Sequence, residues 1–192
     1  MRVIAGEFRS RRLETPRGMA TRPTSDKLRE TLFNVLGASV AGAKFVDLYA
    51  GSGAVGIEAI SRGVEFVWFA EKAPPAVAAI RANLRALKVA GGYALEDRSV
   101  AKLLESLVRS ARANVDVVFL DPPYEAAEEY KRSMELLGAH AADVLAEGAV
   151  VIAEHGRKVE LAEGYGDLKR VRVLEQGDAA LSFYKRVSGI AS

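Results

Sequence analysis

Residues Val115–Leu120 read Val-Asp-Val-Val-Phe-Leu, apolar at every position but one and β-branched at three. So short and apolar a run reads as a strand buried on both faces, the kind that builds parallel sheets. It leads straight into Asp121-Pro122-Pro123-Tyr124. Prolines end strands, which alone would account for them. The placement, however, is the C-terminal end of a strand, where open α/β sheets bind ligands. There, Asp121 and the Pro122 carbonyl can each accept one N–H of a planar exocyclic amine. Pro123 stiffens the turn, and the Tyr124 ring can stack on the heterocycle that carries the amine. The nitrogen lone pair is then turned towards an electrophile.

The rest of the chain supplies the sheet. From Lys44 onward, strand-like and helix-like segments alternate, the pattern of a parallel sheet covered on both faces. Phe45–Tyr49 and Val64–Ala70 read as strands, each followed by a helix, Ala54–Arg62 and Pro74–Lys88. Tyr93–Glu96 is a third strand, and Val100, Leu103, Leu104, Leu107 and Val108 then keep a helical period. After the 115–120 strand come a helix over Glu125–Gly138, a strand over Ala149–Glu154, and a closing pair, Val171–Leu174 with Leu181–Val187. Ahead of the alternation, residues 1–14 suit a hairpin. Thr24 or Ser25 can cap a helix whose apolar face is Leu28, Leu32, Val35 and Leu36, with Gly37 at its end. The expected organisation is a hairpin-and-helix extension over 1–37 and one α/β domain over 38–192.

The first strand runs into Asp47-Leu48-Tyr49-Ala50-Gly51-Ser52-Gly53-Ala54-Val55-Gly56. Gly51, Gly53 and Gly56 satisfy the G-x-G-x-x-G spacing, and Glu71 follows twenty residues after Gly51, at the end of the second strand. A dinucleotide site shares both features. Asp47 argues against it, because a pyrophosphate seeks helix amides and no anion. A ligand carrying an ammonium and a sulfonium suits that carboxylate, while Glu71 suits a ribose diol in either case. Asp97, just past the third strand, is placed to cap the helix that starts near Ser99.

Charge is unevenly distributed. Residues 1–30 hold eight basic and four acidic side chains, so +4 lies there against −2 elsewhere. Such an arm reads either as a solvated tail or as the electrostatic footprint of a nucleic-acid surface. Zero cysteines exclude thiolate metal sites, and two histidines, His140 and His155, leave little for another kind, so no metal is expected. No segment has the length and apolarity of a membrane span or leader, which points to the cytoplasm. Trp68, His140, His155, Arg109 and Arg112 read as structural or solvated residues. The scarcity of asparagine and glutamine fits heat adaptation and a GC-rich genome equally well.

Asp-Pro-Pro-Tyr resembles the signature of S-adenosylmethionine-dependent amino-group methyltransferases, and Asp-x-x-x-Gly-Ser-Gly resembles their first motif. Arg22-Pro23-Thr24-Ser25-Asp26-Lys27-Leu28-Arg29-Glu30-Thr31-Leu32-Phe33-Asn34-Val35-Leu36 resembles the segment before that motif in the RsmD family of 16S ribosomal RNA guanine-N2 methyltransferases. So do Arg2-Val3-Ile4-Ala5-Gly6, Arg9-Ser10-Arg11-Arg12-Leu13 and, near the end, Gly177-Asp178 with Leu181-Ser182-Phe183-Tyr184. The turn at Glu96-Asp97-Arg98 departs from the pattern.

This resemblance implies a Rossmann-like class I methyltransferase, α/β, with a mostly parallel seven-stranded sheet, helices on both faces and a small N-terminal hairpin and helix. It implies S-adenosylmethionine held by Asp47, Tyr49, Gly51, Ser52, Gly53, Gly56, Glu71, Lys72 and Asp97 or Arg98. RNA would be gripped through Arg9, Arg11, Arg12, Arg22, Thr24, Lys27 and Arg29, and chemistry would occur at Asp121–Tyr124. The implied substrate is 16S RNA within a small-subunit particle, met by a monomer. Adenine N6 of RNA or DNA and a glutamine side-chain amide are the other planar amines that the tetrapeptide would accept.

Overall fold

The computed structural model describes residues 1–16, 25–110, 113–123 and 127–187. The chain divides into two compact units, Met1–Val100 and Ala101–Ser192.

In the first unit, α1 (Asp26–Leu36) begins at Ser25, whose hydroxyl accepts from the Leu28 N–H at 3.1 Å. A short 3-10 turn, Gly37–Val40, leads to β1 (Lys44–Leu48), α2 (Ala54–Ser61), β2 (Phe66–Ala70), α3 (Pro74–Ala86) and β3 (Tyr93–Glu96). The three strands lie in the order β3-β2-β1, all parallel. Their register sets Leu48 beside Ala70 and Ala70 beside Glu96. The chain therefore leaves all three strands at one edge, which carries the glycine turn, Glu71 and Asp97.

Residues 1–16 also belong to this unit. They double back through an antiparallel bridge between Arg2 and Arg12, with the Val3 N–H on the Arg11 carbonyl at 2.9 Å. The Ile4 and Ala5 amides donate to the buried Glu58 carboxylate of α2, at 2.7 and 3.0 Å. Phe8 N–H and the Ala5 carbonyl both meet the Ser61 hydroxyl. The arm is thus hydrogen-bonded along α2, while Arg9, Arg11 and Arg12 remain exposed.

The second unit contains most of α4 (Val100–Arg109), then β4 (Val115–Leu120), α5 (Ala127–Ala139), α6 (Ala141–Val144), β5 (Leu145–Gly156), β6 (Gly164–Tyr165), β7 (Leu168–Gln176) and β8 (Ala179–Arg186). Its strand order is β4-β5-β8-β7-β6. β4 and β5 are parallel, and every later pair is antiparallel. Leu120 pairs with Ala153, so Asp121 leaves the sheet beside Glu154. Eight strands are present among the described residues instead of the expected seven. The addition is β6, two residues long, whose pairing comes from the adjoining turn into β7. β5 also starts four residues before the expected Ala149, because an irregularity in its register with β4 carries Ala146–Ala149 past a single step of the partner.

Candidate functional site

The glycine turn is built by three separate constraints. Gly56 lies where a Cβ would come within 2.3 Å of the Phe69 ring, so glycine is what lets α2 settle on β2. Its N–H donates to Asp47 Oδ2 at 2.8 Å. Gly51 has φ +55, and a Cβ there would enter open space. The left-handed backbone, and not packing, accounts for glycine at this position, and it leaves the backbone of the turn open on that side.

Asp47 is only 1% exposed. Burial pushes its carboxyl up to about 7 against the pull of the Gly56 N–H, with the neighbouring Glu71 charge adding to the rise. Glu71 Oε2 accepts from the Gly51 N–H at 2.9 Å and Oε1 from the Ala73 N–H at 2.8 Å. Each carboxylate oxygen has two lone pairs, so both can still receive a hydroxyl. Ser52 is buried with its hydroxyl 3.7 Å from the Met1 sulfur. Tyr49, at φ +61, turns the chain out of β1, and Lys72 is exposed beside Glu71. Asp97 pairs with Arg81 of α3 at 2.8 Å, and Arg98 is bidentate on Glu96. Both Asp97 and Arg98 are exposed at this edge.

In the second unit, Asp121 is half-buried, Pro122 buried and Pro123 exposed. Tyr124 lies outside the described residues. The Tyr130 hydroxyl donates to the Glu154 carbonyl and stands 3.5 Å from the Pro122 carbonyl. Its one proton goes to the nearer acceptor, so the Pro122 carbonyl keeps the capacity to take a stronger donor. Tyr130 therefore ties the turn after β4 to the end of β5, a role that its ordinary helical position does not announce. His155 is buried, with Nδ1 3.0 Å from the Gly156 carbonyl and Nε2 2.8 Å from the Ser182 hydroxyl. Burial lowers its pKa. Both of its ring nitrogens are thus engaged within the second unit.

Among the residues expected to meet RNA, Lys27 is exposed on α1, while Arg22 and Thr24 lie outside the described residues. Arg29 requires correction. It is fully buried, paired with Asp26 at 2.9 Å and with Glu58 at 3.7 Å, and it donates to the Arg2 carbonyl. Together with Arg62, which is 2.9 Å from Glu58 Oε1, it compensates the carboxylate that holds the arm, and no phosphate can reach it. Among the described residues, no group of three or more histidines, cysteines or acids could hold a metal, and no helix is long and apolar enough to cross a membrane.

Parallel strands ending at a carboxylate-flanked glycine turn, together with a proline-stopped strand, belong to the class I methyltransferase fold. A solved Escherichia coli structure described as "Putative methyltransferase yhhF" matches with a TM-score of 0.80 and 28% identity, over 98% of this chain and 99% of that one. More narrowly, residues 1–185 match the family Conserved hypothetical protein 95, and the chain belongs to that family, the RsmD family of the sequence resemblance. The Bacillus subtilis protein named "Putative rRNA methyltransferase YlbH" is 34% identical over 97% of this chain and 99% of its own length. "Ribosomal RNA small subunit methyltransferase D" of Escherichia coli K12 is 33% identical over 65% of this chain and 60% of its own.

Proposed function

We propose that this protein transfers one methyl group from S-adenosylmethionine to the exocyclic N2 of a guanine in small-subunit ribosomal RNA. The observation that carries the reading is the pairing of Asp47 and Glu71 with a glycine turn that has open space at Gly51. Two carboxylates suit an ammonium, a sulfonium and a ribose diol, and they oppose a pyrophosphate. Family membership supports the ribosomal substrate.

When bound, S-adenosylmethionine would supply a methyl group made electrophilic by its sulfonium, the S–CH3 bond breaking as N–CH3 forms and S-adenosylhomocysteine leaving. Glu71 holds the ribose hydroxyls, Gly51 to Gly53 admit the cofactor against the backbone, and Asp47 favours the ammonium through its charge. Asp97 or Arg98 would meet the adenine at the exposed edge after β3. At the other turn, Asp121 and the Pro122 carbonyl accept the two amine protons, and Tyr124 stacks on the guanine. Orientation of two bound reactants is worth about 7–11 kcal/mol of barrier, against about 1–3 kcal/mol for stacking one base. Positioning therefore dominates. The nitrogen becomes acidic on methylation, and its proton leaves to water or through Asp121, with no separate base assigned.

The guanine must be unstacked to reach the turn, which favours a loop base. Arg9, Arg11, Arg12 and Lys27 grip the phosphates near it, and the folded small-subunit particle supplies the rest of the recognition to a cytoplasmic monomer. The test incubates small-subunit particles from cells lacking this protein with the purified chain and labelled S-adenosylmethionine, followed by nucleoside mass analysis. The expected product is N2-methylguanosine. N6-methyladenosine would transfer the assignment to adenine, and an unlabelled particle would remove the ribosomal reading.

A further inference from the structure

Asn83 lies on α3, outside every motif of the sequence, and is 2% exposed. Its amide is engaged in three directions. Oδ1 accepts from the Glu14 N–H at 2.7 Å, and Nδ2 donates to the Glu14 carbonyl at 3.0 Å and to the Ser52 carbonyl at 3.0 Å. The two bonds to Glu14 copy one rung of a β ladder. The third reaches the middle of Gly51-Ser52-Gly53. Its helix neighbours Val77, Ile80 and Leu84 are buried and apolar, so packing of α3 gives no reason for an amide at this place. A buried amide is stabilising only if its partners are present, and here those partners are the arm on one side and the cofactor turn on the other.

We infer that Asn83 is a positioning residue that makes the RNA-facing arm respond to occupancy of the glycine turn. This rests on the proposed function, which assigns the turn to S-adenosylmethionine and the arm to RNA. Cofactor bound against Gly51 to Gly53 fixes the Ser52 carbonyl, Ser52 fixes the Asn83 amide, and Asn83 fixes Glu14 on the returning strand of the arm. Linkage is reciprocal, so RNA that orders the arm tightens the cofactor by the same factor. Of the arm's other attachments, Ile4 and Ala5 on Glu58 and Phe8 on Ser61 run to α2, Arg11 reaches the Ala86 carbonyl of α3, and the Arg2 carbonyl accepts from Arg29 of α1; the Met1 sulfur also meets the turn, but only through a weak 3.7 Å contact with the Ser52 hydroxyl.

Amide hydrogen exchange of the full chain, with and without saturating S-adenosylhomocysteine, tests this without RNA. The reporters are the Val3, Ser10 and Leu13 amides, which are bonded within the arm. In the wild type, the ligand slows their exchange by at least about fivefold, the lower end of couplings between sites. In Asn83→Asp, which removes both side-chain N–H donors, that response disappears although calorimetry still detects ligand binding. Glu14→Pro removes from the exposed arm the N–H that Asn83 Oδ1 accepts, one of the two Glu14 bonds, and diminishes the response; it carries the test alone if the Asn83 variant does not fold. A purely structural Asn83 would instead leave faster exchange with and without ligand, at an unchanged ratio. That outcome, or a wild type that binds ligand with no change in the arm, overturns the inference alone. A wild type that fails to bind S-adenosylhomocysteine overturns the proposed function and this inference with it.

Discussion

The glycine turn after β1 and the proline turn after β4 both close parallel strands, but they treat hydrogen bonds in opposite ways. Around Gly51–Gly56 the backbone donates, with the Gly51 and Ala73 amides on Glu71 and the Gly56 amide on Asp47. Pro122 and Pro123 have no N–H to give, so the second turn offers a carboxylate and carbonyls. One turn gives backbone N–H groups to its carboxylates, leaves lone pairs on Glu71, and has open space at Gly51. The other lacks those N–H groups and carries the carboxylate and carbonyl that the proposed function assigns to an amine. If the contrast is functional, a change in the second turn should alter turnover, and one in the first should alter cofactor affinity.

The largest effect is expected from Asp121→Ala. Loss of one orienting group in an active site costs on the order of 100- to 1000-fold in rate, and the S-adenosylhomocysteine dissociation constant should stay where it was. Asp121→Asn keeps an acceptor oxygen and should be milder. Single-turnover methylation with a parallel calorimetric titration reads both quantities. Near-wild-type turnover in the alanine variant would break the comparison at its strongest point.

Glu71→Ala should do the reverse. Hydrogen bonds to a charged group are worth about 1.5–3 kcal/mol, and affinity for the cofactor should fall accordingly, while turnover at saturating cofactor largely recovers. Because Glu71 also ties down Gly51 and Ala73, Glu71→Gln separates charge from shape. An unchanged dissociation constant in both variants would move the ribose partner elsewhere.

Legibility of the chain follows the range of the forces involved. β3 and β4 have the bounds that the sequence predicts, because each is a short run closed by polar residues or prolines. Gly51, Gly53 and Glu71 are readable because their relation is a spacing along the chain. The strand that the sequence predicts over Val171–Leu174 extends over Leu168–Gln176 as β7. Lys169, Arg170 and Arg172 make it look like a solvated loop, as charged residues on outer strands do. Asn83, Glu58 and Tyr130 leave no signal, since each is an ordinary polar residue of a helix until a partner 69, 54 or 24 positions away arrives. Arg29 misleads for the same reason. A charge count cannot distinguish an arginine that faces solvent from one that faces Glu58.

The pH dependence of cofactor binding sharpens the contrast from the side of Asp47. Its folded carboxyl titrates at about 7, above the ordinary 3.8, so the folded protein takes up a proton that the unfolded chain lacks in that window. By linkage, this group's contribution to stability is largest at low pH and falls as pH rises from about 4 to about 7. A cofactor ammonium favours the charged form and expels the proton. Affinity should therefore weaken as pH falls below about 7, by at most about 1.4 kcal/mol per pH unit. Calorimetry in two buffers of different ionisation enthalpy would detect the released proton. Affinity that is flat from about pH 5 to about pH 8, with no proton release, would disconnect Asp47 from the ligand.

The smallest effect per residue is expected at the arm, where the charges are exposed and screened. Arg9, Arg11 and Arg12 stand on a segment held to α2 by Glu58 and Ser61, so neutralising them should leave the fold and cofactor binding intact. Each arginine that no longer neutralises a phosphate of a single-stranded loop should flatten the salt dependence of RNA binding by about 0.7 in log–log slope. Arg29→Ala provides the contrast. Removing one partner of a buried pair costs about 3–5 kcal/mol of stability, and the RNA slope should change only as the arm loosens. Denaturant unfolding and RNA titrations at several salt concentrations separate the two. A triple variant with the wild-type slope would place the RNA surface away from the arm, and an Arg29→Ala protein of undiminished stability would mean that Arg62, 2.9 Å from Glu58, compensates the buried carboxylate by itself.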